Sequence, residues 1–334
     1  MNLNITCEQQ SIGLNQVFRI SRGAKTNADV IVVKVTDGEY QGWAEAVPYP
    51  RYGETSLSAQ QQIMNIVPKL TSLVDPLSSL KSLMPAGAAR NALDCALWDL
   101  KSQQQGSSAA TLLGLPEPTT CTSAQTLSID SVDNMRQAAW VLRSSPLIKV
   151  KLDANDILEK IRGIHDACPQ AKIIIDANEA WDMPILTQVA QPLSELNVVM
   201  IEQPLPKDAD EELRGFSCAI ALCADESCHT TKDLSLLAQR YQAVNIKLDK
   251  AGGLSEALAM FHEARKFKLM TMLGCMVGTS LGMAPAYLLA HLANYVDLDG
   301  PLWVANDRPY GFDFTHGKMR SGANFLWGTG NKVG

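Results

Sequence analysis

The chain has 334 residues, of which 46% are hydrophobic and 19% charged, and its formal net charge is −6. This composition is typical of a globular protein with a large core, and the acidic balance disfavours nucleic-acid binding, which needs a basic face. Eight cysteines are scattered without a CxxC pair, the first residues lack a signal-peptide pattern, and the longest apolar stretch is interrupted by Gly282, Pro285 and His291. We therefore expect a cytoplasmic protein with reduced thiols and no membrane partner.

The first third of the chain has a mixed α+β pattern. Two β-rich runs, at residues 30–35 and 40–46, flank Asp37-Gly38, and this arrangement predicts a hairpin. Apolar residues recur at helical spacing from residue 86 to about residue 104. Gly114 and Pro116 follow this helix. We place a domain boundary there, with residues 1–115 as an α+β unit.

The second part of the chain repeats a short apolar, β-branched run eight times, at residues 126–129, 148–152, 172–175, 198–201, 220–223, 244–248, 269–273 and 295–298. A polar residue marks the end of several runs and recurs every 22–26 residues, which is the length of one strand, one helix and two loops. Eight such units predict a (β/α)8-type barrel over residues 116–301. A doubly wound open sheet is the alternative, but no GxGxxG follows an early strand.

Three carboxylates, Asp176, Glu202 and Asp225, end consecutive predicted strands. The carboxyl ends of barrel strands converge on one mouth, where three anions would repel one another unless a cation joined them. Oxygen ligands favour Mg²⁺, and the histidines lack the spacing of a zinc site. The alternative for each acid alone is a helix cap.

Three lysines complete the predicted mouth. Lys149 and Lys151 are two residues apart and therefore face the same way, while Lys247 lies four strands further on, at the opposite wall. A dication and a second ammonium group would lower the pKa of such a lysine toward that of a general base. The alternative is that the lysines neutralise the acids. Opposed bases beside a metal predict a racemase or epimerase that works through a metal-stabilised enolate.

Several segments together resemble the enolase superfamily, in its muconate-lactonizing branch, and within it the dipeptide epimerases. These segments are KVK at 149–151, DAN at 176–178, EQP at 202–204, ADES at 224–227, NIKLDKAGG at 245–253, DLDG at 297–300, PYPRYGE at 48–54 and AGAARNALDCALWDL at 86–100. The similarity extends over nearly the whole chain. It implies a modified TIM barrel with an α+β capping domain that the tail, residues 302–334, completes.

The resemblance also implies roles for individual residues. Asp176, Glu202 and Asp225 would bind one Mg²⁺ per subunit, Lys151 and Lys247 would be the two bases, and Lys149 would hold the substrate carboxylate. The implied reaction is the epimerisation of L-Ala-D-Glu to L-Ala-L-Glu, a step on peptidoglycan fragments.

The remaining candidates concern the substrate. Asp297 and Asp299 face inward on the last strand and suit the ammonium group of a dipeptide, although nearby lysines could neutralise them instead. By resemblance, Thr126 and Cys275 would contact the dipeptide. The alternatives are a buried hydroxyl bonded to backbone and a small core residue.

Arg22, on a loop after the first strand, could reach the side-chain carboxylate of a terminal glutamate, and Lys25 competes for that role. The rival functions are epimerisation of other dipeptides, an o-succinylbenzoate synthase or cycloisomerase, a metal-free Schiff-base aldolase and a non-catalytic peptide-binding module. The sequence does not decide whether the protein forms a homo-oligomer.

Overall fold

The computed structural model describes residues 3–331 and begins with a three-stranded antiparallel sheet. Its strands, in spatial order, are β1 (Asn4–Ile20), β2 (Gly23–Thr36) and β3 (Gln41–Ala46). The predicted hairpin joins β2 to β3, and the Asp37 side chain caps the turn by accepting hydrogen bonds from the backbone N–H groups of Glu39 and Tyr40. Gly38 has a φ of +97°, a value that favours glycine.

Four helices follow this sheet: α1 (Ser56–Leu70), α2 (Pro76–Leu83), α3 (Ala88–Gln105) and α4 (Ala109–Leu112). Helices α1 and α3 pack on the sheet, and α2 and α4 pack against α3. The helix predicted over residues 86–104 is α3, and nearly all of its side chains are buried. Its alanines allow close approach to β3, where a Cβ on Gly42 would stand 2.2 Å from the carbonyl oxygen of Ala96. Glycine at position 42 is therefore required by packing rather than by a turn.

After the short strand β4 (Cys121–Thr122), eight parallel strands follow in sequential order: β5 (Gln125–Leu127), β6 (Leu147–Lys151), β7 (Lys172–Asp176), β8 (Val198–Glu202), β9 (Ala221–Ala224), β10 (Ala243–Lys247), β11 (Met270–Gly274) and β12 (Tyr295–Asp297). The backbone N–H of Ala124 donates to Val296 at 2.8 Å, which draws the first and last strands together. The predicted barrel is confirmed, and each strand lies within two residues of its predicted bounds.

The barrel strands are joined by α5 (Val132–Val141), α6 (Ile157–Ala167), α7 (Met183–Ser194), α8 (Leu234–Leu237), α9 (Leu248–Ala251), α10 (Leu254–Lys266), α11 (Ser280–Tyr287) and, after the last strand, α12 (Gly300–Trp303). Between β8 and β9 the described chain forms only a 3-10 turn, Asp210–Leu213. The barrel therefore departs from strict strand–helix alternation at this connection. Among the described residues, no helix is long and apolar enough to cross a bilayer.

The tail forms two further strands, β13 (Phe312–Thr315) and β14 (Lys318–Ser321), which make a small antiparallel sheet with β4. It also reaches the amino-terminal unit, since the indole N–H of Trp43 donates to the carbonyl of Leu326 and the N–H of Ala109 donates to that of Gly328. The tail thus contacts β4, which precedes the barrel strands, and the amino-terminal unit. The division at residues 115 and 302 remains our proposal.

Candidate active site

The barrel interior changes from apolar to charged along its axis. Seven buried residues, Ala124, Leu147, Ile174, Met200, Cys223, Ala243 and Met272, pack together as a floor. Since side chains of a strand alternate between its two faces, the residues two and four positions further on also point inward. By this rule, Asp176 points the same way as Ile174, and Glu202 the same way as Met200. The two lysines of β6 point the same way as Leu147. The charged mouth therefore stands directly above a packed apolar layer.

Asp176, Glu202 and Asp225 are brought together at this mouth. One oxygen of each lies within 4.8 Å of the others, and all three side chains are buried. Neighbouring groups orient them: Asn245 donates to Glu202 at 2.6 Å, and the backbone N–H of Asn178 donates to Asp176 at 3.0 Å. The three acids therefore form a preorganised cluster of oxygen ligands.

The pKa values of the acids in this cluster shift in different directions. Burial and the nearby Asp176 carboxylate raise the pKa of Glu202 to about 8. Burial would also raise the pKa of Asp225, but Lys247 and Lys250 outweigh it and hold that pKa well below its usual range. Oxygen-only donors with excess negative charge suit a hard dication. The residues present thus fit a magnesium ion, which Asp176, Glu202 and Asp225 would hold.

The lysines surround the acids. Lys151 Nζ is 2.5 Å from Asp176 and Lys247 Nζ is 2.7 Å from Asp225. Lys149 Nζ is shared between Glu202 at 2.6 Å, Asp297 at 2.8 Å and Asp176 at 3.2 Å. Burial would lower the pKa of Lys247, but the neighbouring Asp225 raises it well above its usual value. The lowering expected of a general base therefore depends on a dication that offsets this carboxylate.

A cavity of about 810 Å³ opens above the cluster. Lys151 and Lys247, from strands four apart in the sheet, both line it, as does Cys275. Residues 22–29 and 47–52 of the amino-terminal unit, which we call the capping loops, line its other side. Phe18 covers Lys151, with the ammonium 5.9 Å from the ring centre. The two candidate bases thus line the same cavity.

The acids of the last strand are less free than the sequence suggested. Asp297 binds Lys149 through one oxygen, while its other oxygen is buried and has no hydrogen-bond partner within residues 3–331. Asp299 accepts hydrogen bonds from the backbone N–H of Thr126 at 2.6 Å and from the Trp303 indole at 3.4 Å. Burial and Asp297 raise the pKa of Asp299 to about 6. Lys149 therefore neutralises Asp297, as the alternative predicted, and the ammonium site at Asp297 and Asp299 stays a prediction.

Arg22 and Lys25 both line the cavity but differ in their partners. Arg22 donates to the carbonyl of Asn178 at 2.6 Å, to Glu179 at 3.0 Å and to Glu226 at 2.7 Å. The Lys25 ammonium lies 4.6 Å from the centre of the Tyr49 ring, and no ion pair engages it among residues 3–331. Lys25 is the cation that stays available to an anionic ligand.

Several contacting residues were missed from the sequence. Lys250 is buried and donates to a carboxylate oxygen and the carbonyl oxygen of Asp225, each at 2.5 Å. Glu226 adjoins Asp225 and pairs with Arg22, and Arg51 of the capping loops pairs with Glu179. The motifs ADES and NIKLDKAGG contain two of these residues. Their partners, however, come from distant segments that no local pattern connects.

Two family models match the chain. The enolase C-terminal domain-like model matches residues 133–320, and the amino-terminal domain model of mandelate racemase and muconate lactonizing enzyme matches residues 4–114.

Close relatives and solved structures agree with these matches. An N-acetyl-D-glutamate racemase of Pseudoalteromonas sp. is 48% identical over 90% of this chain and 95% of its own length. The L-Ala-D/L-Glu epimerase of Escherichia coli (strain K12) is 45% identical over 92% and 96%. A solved enolase family member from Agrobacterium tumefaciens with homology to dipeptide epimerases, holding sodium and L-Ala-L-Glu, has a TM-score of 0.94 at 40% identity and covers 98% of this chain and 100% of its own.

Fold, site and relatives define an isomerase of the racemase and epimerase class. The chain belongs to the mandelate racemase and muconate lactonizing enzyme family of the enolase superfamily.

Proposed function

We propose that this enzyme is a dipeptide epimerase that interconverts L-Ala-D-Glu and L-Ala-L-Glu, with Lys151 and Lys247 as its two bases. The observation that carries the proposal is that both lysines line one cavity, from strands four apart, on either side of the acid triad. A carbon held between them can lose a proton to one lysine and regain it from the other on the opposite face. The stereocentre then inverts.

The protein groups around the reacting carbon have separate tasks. Mg²⁺ bound by Asp176, Glu202 and Asp225 would supply the positive charge that stabilises the enolate of the substrate carboxylate. Lys149, already within 3.2 Å of two of these acids, is placed to hold the same carboxylate. Phe18 and the capping loops shield the site from water, which strengthens each electrostatic contact.

The substrate's two ends differ in charge. The amino terminus of the dipeptide would bind near Asp297 and Asp299, with Thr126 and Cys275 close to the peptide. For the side-chain carboxylate of glutamate we favour Lys25 over Arg22, because Arg22 already holds two carboxylates in the structure. A few polar groups in a largely apolar cavity usually fix the orientation of a bound ligand.

A second candidate is the racemisation of N-acylated glutamate, the substrate type named for the Pseudoalteromonas relative. Asp297 has Lys149 as its counter-ion, and Asp299 has two hydrogen-bond donors. Neither acid therefore requires a substrate ammonium group for its stability. An acetyl group in place of alanine would leave the proton-transfer chemistry unchanged.

Proton exchange in deuterated water tests both candidates. The enzyme with Mg²⁺ is incubated with L-Ala-D-Glu, with N-acetyl-D-glutamate and with L-Ala-D-Gln, and the α-proton is followed by NMR. We expect loss of the glutamate α-proton signal and appearance of the L,L isomer. Exchange of N-acetyl-D-glutamate alone would favour the second candidate. No exchange with any of them would overturn the proposal and reopen the cycloisomerase alternative.

Two accompanying proposals concern the setting of the enzyme. A role in the recycling of peptidoglycan fragments follows from the proposed substrate. A cytoplasmic location follows from the cysteine pattern.

A further inference from the structure

Two arginines of the capping loops meet on one carboxylate of the barrel. Arg22 lies in the turn between β1 and β2, and Arg51 lies in the 3-10 turn after β3. Arg22 Nη1 is 3.0 Å from Glu179 Oε2, while Arg51 donates from Nε to Oε2 and from Nη2 to Oε1, each at 2.8 Å. The Glu179 side chain is 6% exposed against 27% and 28% for the two arginines. The carboxylate is therefore covered by the guanidinium groups that it binds.

The backbone at residues 178 and 179 connects the contact between Glu179 and the two arginines with the acid triad. Asn178 and Glu179 have φ values of +45° and +69°, a left-handed conformation that is costly for residues other than glycine. Other groups hold it in place: the N–H of Asn178 donates to Asp176, and its carbonyl accepts from Ser21 and Arg22. The Glu179 carboxylate also accepts from the N–H of Lys207 at 3.0 Å. One short loop after β7 thus contacts a metal-ligand candidate on one side and both capping loops on the other.

We propose that Glu179 is a positioning residue that holds both capping loops closed over the active-site cavity through Arg22 and Arg51. Arg22 and Arg51 line the same cavity as Lys151 and Lys247, so releasing them opens the roof above the two bases. The substrate binds to the closed form, and any loss of that form raises the apparent dissociation constant in proportion. The chemical step in the closed complex is unaffected, because Glu179 itself is not among the residues that line the cavity.

The two loops depend on Glu179 to different degrees. Arg22 keeps a second carboxylate, Glu226, at 2.7 Å. For Arg51, Glu179 is the sole ion-pair partner among residues 3–331. Removing the Glu179 charge should therefore free residues 47–52 more than residues 22–29. A general loss of stability would not produce this asymmetry.

Amide hydrogen exchange of the Mg²⁺-loaded enzyme tests the inference without any substrate. Glu179→Gln keeps the size of the side chain and removes its charge, and Glu195→Gln is the control, an exposed glutamate at the end of α7. In E179Q we expect residues 47–52 to exchange about tenfold faster, residues 22–29 to change less, and the barrel strands to stay unchanged. Unchanged exchange in both loops, or equal acceleration in the loops and barrel helices, would overturn the inference.

A kinetic arm rests on the proposed function. We expect E179Q to raise KM about tenfold while kcat changes less than about threefold. Arg51→Gln should raise KM by no more than E179Q does, and the E179Q/R51Q double variant should match E179Q, because E179Q already removes the contact that R51Q breaks. If the two substitutions multiply their effects on KM in the double variant, or if kcat falls at constant KM, Glu179 does not act by holding the capping loops closed. If the wild type turns over none of the proposed substrates, the proposed function fails while the exchange experiment still decides the role of Glu179.

Discussion

Two groups of carboxylates are buried in this enzyme, and they are neutralised in different ways. At the barrel mouth, Asp176 and Asp225 are paired with ammonium groups at 2.5–2.7 Å. Around α3, Asp99 accepts from the backbone N–H groups of Trp43 and Gly328, at 3.1 and 2.7 Å. Asp94 is bound in the same region by the N–H and hydroxyl of a single serine, Ser255.

The pKa values follow this division. Burial raises the pKa of Asp99 to about 7, since neutral donors offset only part of the cost of ionisation. The pKa of Asp225 is held well below its usual range by two lysines despite complete burial. Backbone amides are fixed, whereas ammonium groups on flexible side chains can turn toward a substrate or give way to a metal ion. The α3 acids therefore hold parts of the fold together, and those at the mouth remain available for chemistry.

Metal removal should give the largest effect at the mouth and none at α3. We expect EDTA to lower the epimerisation rate by more than about a thousandfold and added Mg²⁺ to restore it, since a dication supplies several kcal/mol to the transition state. Mg²⁺ at a hundredfold excess over its Kd should also stabilise the fold by about 2.7 kcal/mol. Thermal unfolding should show this gain in the wild type and in Asp99→Asn but not in Glu202→Gln. An equal gain in E202Q would place the ion elsewhere.

Loss of either lysine base should come next. Lys151→Ala and Lys247→Ala are each expected to lower kcat for epimerisation about a thousandfold, within the range of general acid–base catalysis. Each variant should still exchange the α-proton of one of the two stereoisomers with deuterated water, because one base remains on one face. Lys172→Ala, at the exposed start of β7, is the control. If both variants exchange both stereoisomers, the two-base assignment is wrong.

Substitution of the acids around α3 should change the stability of the fold rather than the rate of epimerisation. Asp99 has a folded-state pKa of about 7 against 3.8 for the unbonded group, so between these values the folded form holds a proton that the unfolded form releases. Its contribution therefore falls as pH rises from about 4 to 7, by at most about 1.4 kcal/mol per unit. Urea unfolding at pH 5 and pH 7.5 should show D99N less stable than the wild type by a gap that narrows at the higher pH. A larger stability difference at pH 7.5 than at pH 5 would contradict this prediction.

The smallest effect is expected at the cationic rim of the mouth. Lys25→Met should lower the preference for L-Ala-D-Glu over L-Ala-D-Gln, measured as a ratio of kcat/KM, by about fivefold, because an exposed charge–charge contact contributes at most about 1 kcal/mol. Arg22→Lys should change this ratio less, because its charge is engaged by Glu179 and Glu226. A larger drop in R22K than in K25M would return the assignment to Arg22.

The barrel was predictable from the sequence because most of its strands are apolar runs that end in a charge, as in KIIID or VVMIE. The convergence of the carboxyl ends of barrel strands also placed Asp176 and Glu202 at one mouth. The α-helix missing between β8 and β9 was not foreseen, since a run of polar residues such as 207–212 can form a helix or a turn with equal ease.

The partners of the charged side chains could not be predicted. Lys149 reaches Asp297 although 148 residues separate them, and Arg51 reaches Glu179 across 128 residues. The first contact depends on how the barrel closes and the second on how the amino-terminal unit sits on the barrel, and no local period encodes either arrangement. For the same reason the sequence left open whether a lysine or a substrate ammonium group pairs with Asp297, and the structure places Lys149 there.

The ion pairs at the mouth have a consequence for assembly. Four ammonium groups and four carboxylates are paired there in two sets: Lys149 and Lys151 with Asp176, Glu202 and Asp297, and Lys247 and Lys250 with Asp225. A chain that carries its own counter-charges at these positions does not need the cation to keep its buried acids together. Binding of the cation can then follow folding as a separate, reversible step.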